Sequence, residues 1–315
     1  MPIMNLPGMI SLAGGLPNSQ TFPFQSIKVD LNNQTSLEIG GKELSDGLQY
    51  HPSQGLPSLT QYMRKHQQVT HQLPSDENKQ LWDVICTSGS QDGLTKAFEM
   101  FLNPYNVQLQ GLDLFNNNNN NININNNNNE QKEEMDKIRD AIIIERPTYS
   151  GSLSTLFTLN PLMIQVDVDA HGIIPEQMEE AIIEFKKQHP NSMIKFLYTI
   201  PNGQNPSGCS QTLERKKQIY AISQKYNFLI LEDDPYYYLS LYDINDKEMS
   251  SSIERVPSYL SMDTDDRVLR FDSFSKILSS GIRLGFVTGP VKLINQIVLH
   301  IQSSNLHSCG LSQTI

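Results

Sequence analysis

The sequence is poor in the features that mark several large classes of protein. Its 315 residues contain three scattered cysteines (Cys86, Cys209 and Cys309) and no C-x-x-C pair, too few for a disulfide framework or a zinc ribbon. No apolar run approaches the ~18 residues that cross a bilayer, and the N-terminus lacks the charged start and apolar centre of a signal peptide. Acidic residues outnumber basic ones by 34 to 24, so no basic surface for a nucleic acid is expected. We therefore predict a globular protein of a reducing compartment that binds neither nucleic acid nor membrane.

One segment is almost devoid of core-forming residues. Between Asn116 and Asn129, twelve of fourteen residues are asparagine, and a charged stretch follows. Such a tract cannot bury enough apolar surface to offset the entropy lost on ordering. We predict a disordered surface insertion over roughly 106–140, to which no function is assigned.

Outside this insertion, short apolar runs alternate with amphipathic helical patterns. The runs predicted as buried strands are VICTSG (84–89), AIIIE (141–145), LMIQVDV (162–168), IKFLYTI (194–200), FLILEDD (228–234), RVLRFDS (267–273) and IRLGFVTG (282–289). The alternation predicts an α/β protein with a mostly parallel sheet sandwiched by helices. In such sheets, ligands bind beyond the carboxyl ends of the strands.

Residues able to bind or react follow several of these strands. Ser90 and Gln91 lie in a small-residue turn that opens a helix, where free N–H groups and the positive dipole end suit a phosphate, although a serine there is also an ordinary helix cap. Asn205 follows strand 194–200 and is held as an amide donor before a proline. Lys276 follows strand 267–273, and a lysine desolvated at this edge would have a lowered pKa and could form a Schiff base.

A further strand ends in three consecutive carboxylates, Glu232, Asp233 and Asp234. Neighbouring carboxylates repel one another unless a cation lies nearby. A metal ion is one candidate, although no histidine or further acid is close in sequence to complete its shell. A protonated heterocyclic nitrogen is the other.

Five motifs together resemble the fold-type I, pyridoxal-phosphate-dependent aminotransferases of class I/II. They are SGSQ (88–91), E-x-P-x-Y (145–149), PNGQNPSG (201–208), EDDPYY (232–237) and SFSKILSSGIRLGF (273–286). The LAGGLPN opening, the EDDPYYY run and the LHIQSSNLHSCG tail are most similar to the kynurenine/2-aminoadipate aminotransferase branch. The resemblance implies transamination of an L-amino acid (2-aminoadipate, kynurenine or another aromatic or aliphatic one) with a 2-oxo acid, by a ping-pong Schiff-base mechanism.

The resemblance also implies roles for individual residues. Lys276 would bind the pyridoxal 5'-phosphate cofactor covalently and later move the substrate proton, while Asp233 would keep the ring nitrogen protonated. Tyr236 and Asn205 would hydrogen-bond the ring hydroxylate. The other cofactor-binding positions are Tyr149, stacked on the ring, the phosphate-binding Ser90, Gln91, Ser273 and Arg283, and Tyr50, which would reach across a homodimer to the neighbour's cofactor. No metal is implied.

The domain plan implied by the resemblance has three parts. An N-terminal arm with part of a small domain would cover 1–45, the cofactor-binding large domain 46–290, and the start of the C-terminal domain 291–315. Family members continue for on the order of a hundred residues past the position of Ile315. That further segment carries an arginine that binds the substrate carboxylate. Arg255, Arg267 and Arg270 of this sequence do not match the motif of that arginine. We therefore expect an incomplete small domain and a half-complete substrate site. We expect a cytoplasmic location, with the mitochondrion as the alternative.

Two other functions are considered. The chain could be a truncated, non-catalytic homologue that binds pyridoxal phosphate. A serine acyl-enzyme is the second possibility, because Ser273 and Lys276 form an S-x-x-K motif and Ser303-x-Asn305 supplies an S-x-N. No K-T-G follows, however, and this alternative leaves EDDPYY and NGQNPSG unexplained.

Overall fold

The computed structural model describes Gly8 and residues 15–75, 81–103, 139–239 and 255–315. The insertion predicted over 106–140 lies outside these ranges except for its last two residues. Arg139 donates to the backbone oxygen of Asn160. Asp140 is buried and accepts hydrogen bonds from the backbone N–H and the side-chain amide of Asn103, both at 3.0 Å. Arg139 and Asp140, which the prediction assigned to the insertion, therefore belong to the packed fold, because their side chains join neighbouring core elements.

Within the described residues, eight strands form the main sheet. A separate antiparallel hairpin, β1 (Ser26–Asp30) and β2 (Ser36–Gly40), precedes it. The main sheet contains β3 (Trp82–Thr87), β4 (Ala141–Arg146), β5 (Leu162–Asp169), β6 (Gly172–Ile173), β7 (Ile194–Thr199), β8 (Leu229–Asp233), β9 (Val268–Ser273) and β10 (Gly285–Pro290). Their order is β3-β10-β9-β8-β7-β4-β5-β6. The five strands β9, β8, β7, β4 and β5 run parallel to one another. The pairs β3–β10, β10–β9 and β5–β6 are antiparallel. The prediction of a mostly parallel sheet is confirmed.

Helices occupy most of the connections between strands, and two more follow β10. They are α1 (Gly41–Leu48), α2 (Pro57–Thr70), α3 (Ser90–Phe101), α4 (Ser150–Leu159), α5 (Pro175–Gln188), α6 (Leu213–Tyr226), α7 (Tyr259–Met262), α8 (Val291–Ser304) and α9 (Gly310–Thr314). Local sequence explains their ends: α5 opens on a proline, whose missing N–H costs nothing in the first turn. The Thr212 hydroxyl caps α6 by accepting from the N–H of Arg215, and Asn227 ends that helix in the left-handed conformation.

Apolar side chains on the two faces of the sheet form two large cores, and Met63, Val84 and Phe286 form a smaller cluster of their own. Along β4, Ile142 and Ile144 contribute to one core and Ala141 and Ile143 to the other, as the period of two in a strand requires. Residues of α3, α4 and α8 cover the first face, and residues of α5, α6 and α7 cover the second. Helices thus sandwich the sheet as predicted. The division into domains at 45 and 290 stays a prediction, and α8 packs its buried isoleucines into the first core.

The sheet topology brings distant parts of the chain to one edge. The carboxyl ends of β4, β7, β8 and β9 lie side by side there, because these strands are parallel neighbours. The amino end of β10 joins them, since β10 is antiparallel to β9. Within the described ranges, no helix has the length and apolar character needed to span a bilayer.

Candidate active site

A cavity of about 200 Å³ opens at this edge of the sheet. Nine of the ten residues predicted for the cofactor site line it: Ser90, Gln91, Tyr149, Asn205, Asp233, Tyr236, Ser273, Lys276 and Arg283. Ile200, Pro235, Ser275 and Ser280 also line the cavity and were not predicted, although the two serines belong to the SFSKILSSG motif. Sequence positions from 90 to 283 therefore meet around one space.

Tyr50 is the predicted residue that this cavity does not include. Its side chain is 57% exposed and lies edge-on to the ring of His307, with 5.9 Å between the ring centroids. The prediction places Tyr50 at the site of a neighbouring copy rather than at its own, and that role stays a prediction.

One end of the cavity is suited to an anion. Helix α3 begins at Ser90, and its cap residue Gly89 has no side chain to bind the first N–H groups, which stay available to a ligand. The Arg283 guanidinium lies beside this helix end and donates to the backbone oxygens of Ser88 (3.0 Å) and Ser280 (3.2 Å). A Cβ on Gly89 would lie 2.7 Å from Nη2 of Arg283, so the glycine lets the guanidinium approach. A positive helix end and a fixed cation together favour a phosphate group.

Arg283 reaches this position because the chain turns before β10. Residues 280–282 form a 3-10 turn and Arg283 adopts a left-handed conformation with φ of 50°. The strand predicted over 282–289 therefore begins at Gly285, since the left-handed residue breaks the extended backbone. A Cβ on Gly285 would lie 2.8 Å from the Ser90 nitrogen, so this glycine allows β10 to pack against the start of α3.

The three consecutive carboxylates at the end of β8 separate into two environments. Glu232 and Asp234 both contact the guanidinium of Arg270, with N–O distances of 3.3 and 2.9 Å. Arg270 lies opposite Glu232 in the β8–β9 register and also forms a two-pronged pair with Asp272. Burial alone would lower the pKa of Arg270, but the surrounding carboxylates raise it well above its usual value.

Arg270 is therefore the cation that Glu232 and Asp234 require. Of the two candidates from the sequence, a metal ion is not needed for this pair, and across the described ranges no group of three or more His, Cys, Asp and Glu side chains is placed to hold one. Sequence reasoning missed Arg270, although an arginine within an apolar strand pattern was a usable signal. Arg270 is fully buried in this cluster, which agrees with its failure to match the carboxylate-binding motif.

Asp233 points to the opposite side of β8, toward the cavity. Its Oδ2 atom accepts a hydrogen bond from the Tyr198 hydroxyl at 2.9 Å, and its buried Oδ1 atom has no partner among the described residues. Burial raises the pKa of Asp233 to about 7 against the hydrogen bond from Tyr198, and the charges of Asp234 and Asp272 add to the rise. A protonated ring nitrogen at Oδ1 would supply both the missing partner and a compensating charge.

Hydrogen bonds connect the two loops that carry Asn205 and Tyr149 into the cavity wall. Glu145 accepts from the Thr199 hydroxyl at 2.6 Å and from the side-chain amide of Gln204 at 3.0 Å. Gln204 also donates to the backbone oxygen of Pro147 at 2.7 Å, which ties the loop bearing Asn205 to the loop bearing Tyr149. Burial raises the pKa of Glu145 to about 7, against these hydrogen bonds.

The cavity residues fit pyridoxal phosphate. Arg283 and the open end of α3 suit its phosphate, and the unpartnered Oδ1 of Asp233 suits its ring nitrogen. Tyr149 and Tyr236 line the space between these ends, and Lys276 supplies a primary amine. Lys276 is exposed in this structure, so the desolvation predicted for it is not observed.

Comparison with known proteins gives an independent result. Residues 136–315 match the family model described as aminotransferase class I and II. The mitochondrial kynurenine/alpha-aminoadipate aminotransferase of Bos taurus is 38% identical over 314 residues, which cover 98% of this chain and 64% of that protein. The crystal structure of aminotransferase Aro8 from Candida albicans has a TM-score of 0.78 at 29% identity, covering 99% of this chain and 64% of the other. The aromatic aminotransferase Aro9 of the same organism has a TM-score of 0.77 at 30% identity, covering 98% and 63%. The chain thus spans a little under two thirds of each of these proteins.

Proposed function

The chain belongs to the class I and class II aminotransferases, and on this premise we propose that it transfers an amino group from an L-amino acid to a 2-oxo acid with pyridoxal phosphate as cofactor. The observation that carries the proposal is the cavity that brings together Lys276, Asp233, Arg283 and the open end of α3. When bound, pyridoxal phosphate supplies an aldehyde that reacts with amines and a ring that accepts electrons from the substrate Cα.

Each residue contributes a separate function. Arg283 and the first N–H groups of α3 would hold the phosphate and so fix the orientation of the ring. Asp233 would accept a hydrogen bond at Oδ1 from the protonated ring nitrogen and keep the proton on that nitrogen. Tyr149 would cover one side of the ring and exclude water from it. The Lys276 amine would take the proton from the substrate Cα and return it to C4′ of the cofactor, on the other side of the substrate nitrogen, which is general base and then general acid catalysis.

We propose aromatic amino acids, kynurenine and 2-aminoadipate as the amino donors, with 2-oxoglutarate as acceptor. The names of the bovine relative and of Aro9 support these substrate classes. The non-catalytic alternative is not favoured, since these relatives are named as aminotransferases.

We also propose a homodimer in which the exposed Tyr50 reaches the partner's cofactor. Sedimentation of the purified chain, with and without pyridoxal phosphate, measures the oligomeric state, and we expect the mass of a dimer. The cytoplasmic location stays a prediction, because the bovine relative is named as a mitochondrial protein. Cell fractionation with antibodies to the chain tests it.

The experiment has two steps, which test binding and turnover separately. The purified chain is mixed with pyridoxal phosphate, reduced with borohydride and digested for mass analysis. We expect a pyridoxyl adduct on Lys276, lost in Lys276→Ala and retained in the control Lys187→Ala, which removes an exposed lysine of α5. The loaded chain is then incubated with L-kynurenine or L-2-aminoadipate and 2-oxoglutarate, and glutamate formation is measured.

The outcomes separate the candidate functions. An adduct on Lys276 without glutamate formation would identify a non-catalytic cofactor-binding homologue. The absence of any adduct would overturn the proposal, and acylation of Ser273 by a penicillin would favour a serine acyl-enzyme.

A further inference from the structure

A buried tyrosine outside the cavity is hydrogen-bonded to the residue that faces the ring nitrogen. Tyr198 lies on β7, is fully buried and does not line the cavity. Its hydroxyl accepts from the Ser152 hydroxyl at 2.9 Å and donates to Oδ2 of Asp233 at 2.9 Å. We propose that Tyr198, supported by Ser152, is a positioning residue that keeps Asp233 ionised and aimed at the ring nitrogen of the cofactor. This inference rests on the proposed function.

The geometry gives Asp233 one bound and one open oxygen. Because Oδ2 is tied to a buried phenol, the carboxylate cannot turn freely, and Oδ1 is left without a partner among the described residues. The phenol is itself held in place: its ring lies edge-on to Phe98, with 5.7 Å between centroids. Ser152 is also fully buried, on the helix that follows Tyr149. The open oxygen is therefore presented by packed elements on both sides rather than by a loop.

Charge explains why this hydrogen bond matters. Asp233 is surrounded by further carboxylates from three elements, Glu145 on β4, Asp272 on β9 and its neighbour Asp234, and together with burial they favour its neutral form. A donated hydrogen bond favours the ionised form. The pKa of Tyr198 is itself raised well above its usual range, by burial first and by the Asp233 charge second, so the phenol stays a donor.

Loss of the phenol should move a proton. In the loaded protein, the proton between Asp233 and the ring nitrogen is shared according to their relative basicities. Without the hydrogen bond from Tyr198, the carboxylate of Asp233 is a stronger base than it is in the wild type. It therefore takes a larger share of this proton. The ring nitrogen then loses positive charge, and the ion pair that helps retain the cofactor weakens.

The test uses the chain loaded with pyridoxal phosphate labelled with ¹⁵N in the ring. The variants are Tyr198→Phe and Ser152→Ala, and the control is Tyr259→Phe. Tyr259 is also fully buried and donates a hydrogen bond, at 2.6 Å, to Gln211 in the opposite core. The readouts are the ¹⁵N resonance, the dissociation constant for pyridoxal phosphate and the melting temperature, none of which depends on turnover.

We expect the ¹⁵N resonance in Tyr198→Phe to move toward the position of a neutral pyridine, with affinity for the cofactor about tenfold weaker. Ser152→Ala should move it in the same direction by a smaller amount, because it only weakens the phenol as a donor. Tyr259→Phe should lower the melting temperature without moving the resonance.

The possible failures are distinguishable. An unchanged resonance in both Tyr198→Phe and Ser152→Ala, with the wild type showing a protonated ring, overturns this inference and leaves the proposed function standing. An equal movement in Tyr259→Phe also overturns it, since the effect would then be one of general destabilisation. Failure of the wild type to bind pyridoxal phosphate overturns both. Ser152→Ala keeps the test decisive if Tyr198→Phe does not fold.

Discussion

Replacement of Asp233 by asparagine should stabilise the cofactor-free chain while weakening cofactor binding. The carboxyl is 4% exposed and its pKa is raised from 3.8 to about 7, chiefly by burial. The folded chain therefore holds this proton up to about pH 7, whereas the unfolded chain releases it near its ordinary pKa. Asp233 thus costs stability progressively as the pH rises through that window. Since each pKa unit corresponds to about 1.4 kcal/mol, the gain from Asp233→Asn should be about 2–3 kcal/mol larger at about pH 8 than at about pH 5.

The assay is urea unfolding of the cofactor-free wild type and variant at both pH values. Asp167→Asn is the matched control, because the hydrogen bond from Arg146 lowers the pKa of this exposed carboxyl, so it is ionised at both pH values and its replacement should change stability equally at the two. With pyridoxal phosphate added, the order should invert, since only the wild type offers a carboxylate to the ring nitrogen. A gain that is equal at the two pH values would show that Asp233 is not a buried acid with a raised pKa, and would refute the reasoning.

Three further predictions concern the supports of the site. Arg283→Lys should weaken pyridoxal phosphate binding about tenfold in a fluorescence titration, because a lysine cannot reproduce the guanidinium contacts to two backbone oxygens; unchanged affinity would contradict the assigned phosphate site. Gly89→Ala should cost about 1–3 kcal/mol in urea unfolding and also weaken binding, since φ is +95° and its Cβ would meet Arg283; wild-type stability would contradict this. Arg270→Met should cost about 3–5 kcal/mol near neutral pH, by leaving the carboxylates of its cluster buried without a cation. That loss should shrink in acid, where protonation neutralises them, and a constant loss would count against the ion cluster.

The main elements and most of the site follow from local sequence. Each of the seven predicted strands corresponds to an observed strand, with ends displaced by up to three residues, because buried parallel strands are short continuous apolar runs. Nine predicted residues line one cavity because they follow strands whose carboxyl ends meet at one edge. The β1–β2 hairpin was not predicted. The signal was present, since SIKVD and SLEIG alternate polar and apolar residues with a period of two, but both strands are five residues long and mostly exposed.

The residues that act behind the site were not predictable in the same way. Arg270 and Tyr198 lie within strands that also contain other polar residues. An arginine in such a strand signals a buried charge, but the strand's own sequence does not show which distant side chain it contacts. Their contacts join residues 35 and 36 positions apart in sequence. Such contacts depend on which strands are neighbours and on the register between them, and a shift of one residue would exchange the two faces.

The sequence by itself, then, determined the kind of chemistry: an amine, a carboxylate, a phosphate-binding turn and an arginine at the ends of strands. Its scarcity of cysteines, basic residues and long apolar runs argued against disulfide-rich, nucleic-acid-binding and membrane-spanning proteins, but it did not identify the site. Only the tertiary structure decided which partner each of the three adjacent carboxylates contacts. Side chains alternate along β8, so Glu232 and Asp234 face Arg270 while Asp233 faces Tyr198 and the cavity. The pairing of β7, β8 and β9 is what places the unpartnered Oδ1 of Asp233 at the cavity.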